Sequence, residues 1–129
     1  MKIAFAASRA IVAQTARAAL IGRYGDVPQA EAEVIVALGG DGFMLQTLHD
    51  TQGMNAPIYG MNRGTIGFLM NEYAETGLIE RLQAAEREVL NPLSMTATHV
   101  DGSISKALAI NEVALLRAGP QAAKLQITI

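Results

Sequence analysis

A chain of 129 residues has about the length of one domain and can bury roughly two-thirds of the surface its unfolded form exposes. Of its residues 50% are apolar but only 5% aromatic, with no Trp, so the expected core is aliphatic and an aromatic platform for single-stranded nucleic acid is excluded. Ten basic against twelve acidic side chains leave a formal charge of −2, too balanced for a nucleic-acid or anionic-membrane surface, and the absence of cysteine removes thiolate chemistry, disulfides and Cys-ligated metals.

Residues 3–7 are a short apolar run suited to a buried strand, with Ser8 as the expected N-cap of a helix over 9–23 that carries Ile11, Val12, Ala16, Ala19 and Leu20 at helical spacing. Arg9 and Arg17 interrupt this amino-terminal stretch, and nothing reaches the roughly 20 apolar residues that span a bilayer. A cytoplasmic protein without membrane partners is expected. The β-branched run at 33–38 reads as a central strand covered on both faces, and after Gly39-Gly40-Asp41-Gly42 a helix follows with Met44, Leu45 and Leu48 on one face.

Residues 57–61 supply a third strand, residues 65–70 an apolar segment, and residues 75–88 a helix with Leu78, Ile79 and Leu82 at helical spacing. Alternating strands and helices predict an α/β, mostly parallel-sheet domain over 1–91. Beyond Asn91-Pro92, two runs of period-two texture flank Asp101-Gly102 and predict a hairpin with a two-residue type I′ turn. NEVALL and KLQITI continue as strand-like runs, so 92–129 reads as the beginning of an antiparallel β-rich second domain.

Three motifs stand out. In Gly39-Gly40-Asp41-Gly42, glycine allows close backbone approach, and the helix that follows aims unpaired N–H groups and its positive end at the turn, an arrangement that suits phosphate. A tight packing turn with Asp41 as a helix cap is the bland alternative. An aspartate inside a phosphate loop repels its ligand unless it binds magnesium or takes a proton, which points to catalysis. In the second motif Gly60, Gly64 and Gly67 surround Asn62 and Arg63, polar groups able to reach a ligand, while Phe68 is expected in the core. The third, Asn111-Glu112, sits inside an apolar run and suits hydroxyls and base edges, or an exposed strand edge. With His49 and His99 as the sole histidines, no His-rich metal site is expected.

In this order GGDG, YGMNRGTIGFLMN at 59–71 and INEVALLR at 110–117 resemble the nicotinamide adenine dinucleotide kinases. Lipid kinases of the diacylglycerol and sphingosine type, and phosphofructokinases, look similar at GGDG alone but lack the GxNxGxxGFL segment. A non-catalytic nucleotide-binding or oligomer-forming module is the alternative of another class. The resemblance implies a parallel-sheet nucleotide-kinase-like fold and transfer of phosphate from ATP or polyphosphate, with Mg2+ or another divalent cation, to the adenosine ribose 2′-hydroxyl of NAD, giving NADP.

It further implies a phosphate loop of Gly39, Gly40 and Gly42 with Asp41 as general base, and Leu45 and Phe68 flanking the adenine or ribose. Asn62 would contact nucleotide, Arg63 would offset donor phosphate charge, and Asn111 and Glu112 would hydrogen-bond NAD. Family members assemble as homodimers or homotetramers and are longer, with a β-rich second domain. The chain is therefore expected to be an amino-terminal fragment, inactive by itself.

Overall fold

The computed structural model describes residues 1–65 and 67–129. Three strands, β1 (Ile3–Ala7), β2 (Val34–Gly39) and β3 (Ile58–Asn62), form a parallel sheet in the order β1-β2-β3. Its register sets Phe5 and Tyr59 on either side of Val36. Among the described residues three helices accompany it: α1 (Ile11–Tyr24), α2 (Asp41–Asp50) and α3 (Leu78–Ala84), with a 3-10 turn at Gln29–Glu31.

Every residue of β2 is buried, because the strand is central and both faces are covered. On one face Ile3, Phe5, Val34, Val36, Leu38 and Met61 join Ala13, Ala16 and Leu20 of α1 and Leu78 of α3 in a single cluster. Each large aliphatic side chain buried there contributes about 1.5–3 kcal/mol. On the other face Ile35 is fully buried, and glycines at the end of β2 and in β3 let α2 approach closely. A Cβ added to Gly39 would lie 2.8 Å from that of Phe43, and one added to Gly60 would lie 3.3 Å from the Met44 sulfur.

Strand β1 is an edge, and the outward peptide groups at its middle are already taken. Phe5 N–H donates to Asp26 Oδ1 at 3.0 Å, Arg17 Nε donates to Phe5 O at 2.8 Å, and Arg17 and Asp26 pair at 2.9 Å. Val27 N–H adds a bond to Ile3 O at 3.1 Å. An occupied edge cannot template another strand.

Helix boundaries shift from expectation for identifiable reasons. Ser8 is not the N-cap of α1: its N–H donates to Leu38 O at 2.9 Å, which prolongs the parallel ladder, and Ala10 occupies the cap position without a side-chain bond. The second helix begins at Asp41 rather than after Gly42. The third spans Leu78–Ala84 rather than 75–88. Gly77, at φ +64°, blocks an earlier start, and the exposed residues 85–88 offer no apolar face to pack. No helix among the described residues is long and apolar enough to cross a membrane.

Contacts divide the chain into two units, Met1–Leu90 and Asn91–Ile129. In the second, β4 (Leu93–Thr98) and β5 (Ile104–Ala109) pair antiparallel. The mixed α/β class, a parallel sheet followed by an antiparallel one, is thus the one expected. The turn differs from expectation. His99 N–H donates to Ser103 O and Gly102 N–H to His99 O, enclosing three residues, Val100, Asp101 and Gly102. Only Gly102 has positive φ, +83°, whereas a type I′ turn needs it at two positions. NEVALL and KLQITI form no strand: a lone strand leaves its backbone groups unpaired, and no described segment pairs with them.

Candidate functional site

Parallel strands β2 and β3 end side by side, and the chain leaves each through a glycine-bearing segment. Gly39 closes β2, Gly40 is the N-cap of α2 and Asp41 is its first residue. From β3, Asn62 accepts Gly64 N–H through Oδ1 at 2.9 Å, a side-chain turn that folds Gly64 onto the first loop. Arg63 N–H donates to Gly39 O at 2.7 Å. A Cβ at Gly64 would stand 3.1 Å from Gly40 N, so the two loops touch backbone to backbone.

The second segment then returns to the first. Phe68 N–H donates to Asp41 Oδ2 at 2.8 Å and Leu69 N–H to Asp41 Oδ1 at 3.0 Å. Asp41 is therefore not the cap of α2, because Gly40 holds that position without a side-chain bond. Its half-buried carboxylate stands beside the helix N-terminus, where the first-turn N–H groups lack intrahelical partners and the dipole is positive. Asn71 completes the return: Asn62 N–H donates to Asn71 O at 2.8 Å, and Asn71 N–H donates to Gly60 O at 2.9 Å.

Beside this junction lies an open groove of about 890 Å³ lined by Val12, Asn62, Arg63, Thr65, Asn71 and Tyr73 among others. The Arg63 guanidinium lies over the Tyr73 ring, 3.4 Å from its centroid, and its buried Nε has no hydrogen-bond partner among the described residues. Burial pushes the Tyr73 phenol above its ordinary value and the Glu75 carboxylate adds to the rise, against the opposing Arg63 cation. The Tyr73 hydroxyl is 3.1 Å from Glu75 Oε1. Arg81 fixes the segment that carries both residues, since its guanidinium donates to the carbonyls of Glu72, Ala74, Thr76 and Gly77.

Gly39, Gly40, Asp41, Asn62, Arg63, Gly64 and Gly67 thus meet at one place, with Gly42 in the first turn and half-buried Leu45 in the second turn of α2. A family model described as the ATP-NAD kinase N-terminal domain matches residues 13–90, a span that contains the whole junction. The chain belongs to the NAD kinase family. Curated relatives named NAD kinase include one from Cereibacter sphaeroides, 64% identical over 128 residues, covering 99% of this chain and 50% of the relative. Another from Caulobacter vibrioides is 57% identical, covering 99% of this chain and 49% of the relative. A third from Brucella suis is 54% identical over 110 residues, covering 85% of this chain and 43% of the relative. The chain spans about half the length of the curated relatives it matches.

Other expected members behave differently. Phe68 is not in the core but fully exposed, at 102%, because its backbone N–H turns inward to Asp41. Ile66, part of the expected apolar segment at 65–70, lies outside the described residues. Asn111 and Glu112 belong to the second unit and are exposed, outside any strand. Tyr73 and Arg81 escape sequence reasoning altogether: a tyrosine ten positions after an arginine has no periodic or motif signal.

Proposed function

We propose that the protein carrying this chain phosphorylates the adenosine ribose 2′-hydroxyl of NAD, with ATP or polyphosphate as donor, to give NADP. One observation supports this above others: the Asp41 carboxylate is held beside the N-terminus of α2 where the two glycine segments meet. Phosphoryl transfer asks chiefly for alignment and charge compensation. The backbone of Gly39, Gly40 and Gly42 lets donor phosphates approach, and the positive end of α2 favours their charge. Asp41 takes the 2′-hydroxyl proton as that oxygen bonds to the donor's terminal phosphorus, and the bond to the leaving phosphate breaks.

Arg63, cationic and stacked beside the groove, offsets donor charge, and Asn62 orients the loop around it. Leu45 and exposed Phe68 flank the adenine or ribose, while Asn111 and Glu112 hydrogen-bond NAD. The described residues gather no set of three acidic or imidazole side chains able to hold a metal. A divalent cation carried on the donor's phosphates would supply further charge compensation for the transfer. We further infer a cytoplasmic homodimer or homotetramer.

The test is Asp41→Asn in the full-length protein. It is expected to lower turnover by about two to four orders of magnitude, the range of a positioned general base. Unchanged turnover would refute the role given to Asp41. Binding of NAD and ATP by the unsubstituted protein without any NADP formed would favour a non-catalytic nucleotide-binding module.

A further inference from the structure

Nothing in the first loop fixes the direction of the Asp41 carboxylate. The residue sits at the first position of α2 with no side-chain bond at the helix cap, and an aspartate there has several staggered rotamers open to it. Its orientation comes instead from 27 and 28 residues away, where Phe68 N–H meets one oxygen and Leu69 N–H the other. Each carboxylate oxygen carries two lone-pair positions, so one on each is taken and the remaining pair of directions is set.

The residue before these amides makes the approach possible. A Cβ built on Gly67 would overlap Asp41 Cγ, Oδ1 and Oδ2 together. The space that a side chain at this position would fill is taken by the carboxylate. The backbone near the turn is tied to Gly39 through Arg63, whereas the Asp41 carboxylate has other rotamers open to it, so an added methyl swings the carboxylate out of its present direction or pushes the turn away from it.

We propose that Gly67 is a positioning residue for Asp41: its missing side chain lets the turn at 67–69 close on the carboxylate, and the two amides that follow aim the lone pairs used on the substrate hydroxyl. This rests on the reading of Asp41 as the base, and it assigns the aim of the base to the second glycine segment rather than to GGDG.

The experiment is a cycle of Gly67→Ala, Asp41→Ala and the double variant in the full-length protein, read by melting temperature, kcat and the KM values for NAD and ATP. Gly67→Ala is expected to lower kcat about 100-fold, the loss that follows a misplacement near 1 Å, with both KM values within about twofold. It is also expected to lower the melting temperature, and this loss vanishes when Asp41→Ala removes the carboxyl that the methyl would strike. Equal melting losses in both backgrounds, or a kcat that Gly67→Ala leaves unchanged, would overturn the proposal. If Gly67→Ala alone does not fold, folding of the double variant supports it and failure of both overturns it. Turnover retained by Asp41→Ala would refute the base itself, while the melting cycle would still decide the contact.

Discussion

Replacing Asp26 by alanine removes two interactions of different worth at the edge of the sheet. The first is the acceptor for Phe5 N–H, a bond of 3.0 Å to a residue only 4% exposed; leaving such a donor unpaired costs about 1–3 kcal/mol. The second is the ion pair with Arg17, whose side chains are 38% and 27% exposed, so that solvent screening leaves it about 0–1 kcal/mol. Together Asp26→Ala is expected to cost about 2 kcal/mol, nearly all of it from the lost acceptor. For a unit the size of Met1–Leu90, this lowers the melting temperature by roughly 10 °C. Asp26→Asn keeps a carbonyl for Phe5 N–H and loses only the charge, so it is expected to cost under about 1 kcal/mol. Urea and thermal unfolding followed by far-UV circular dichroism measure both, and light scattering reports whether the opened edge recruits a second chain. If the two variants lose equal stability, the edge bond contributes nothing and the reasoning fails.

Two further outcomes are expected. Phe68→Ala leaves stability within about 0.5 kcal/mol, because a fully exposed ring has no packing to lose, but weakens NAD binding in the full-length protein by about 1–3 kcal/mol if the ring stacks on the base; calorimetry showing destabilisation without weaker binding would contradict this. The Tyr73 phenol is raised in the folded state, first by burial. Its contribution is therefore complete below the ordinary value of about 10 and is lost as pH rises through the higher folded value. Urea midpoints compared between pH 9 and 11 are expected to fall more steeply for the unsubstituted chain than for Tyr73→Phe.

The parallel sheet was legible because its signal is strong at short range. Residues 3–7 and 34–38 are apolar runs whose neighbours on both sides are polar or glycine, and a strand covered on both faces reads that way. The glycine segments were legible as places of close approach, since Gly64 and Gly67 do abut Gly40 and Asp41. What failed depends on partners distant in the chain. Ser8 has the chemistry of a cap, but its N–H was claimed by Leu38, 30 positions away. Phe68 looked like core because large aromatics usually are, yet the demand of Asp41 on its backbone outweighs the burial of its ring. The pairing of Arg17 with Asp26 across Phe5 had no sequence signal, because nothing in local spacing says that the two meet.

Helix α3 has seven residues, too few to persist unaided, and its start is wired to the last residue of α1. The Tyr24 hydroxyl donates to Glu75 O at 2.8 Å and accepts Leu78 N–H at 3.4 Å. A single phenol therefore joins two segments more than fifty positions apart, and Leu78, fully buried, seals the joint. Native-state hydrogen exchange is expected to show the consequence: α3 and the Arg81-bound segment before it open as one cooperative piece, ahead of the amides of the central strands. Tyr73 lies on that piece and Arg63 rests on Tyr73, so each such opening also frees the guanidinium beside the groove. The lifetime of the cation's placement is thereby tied to a local unfolding equilibrium at the far end of α1.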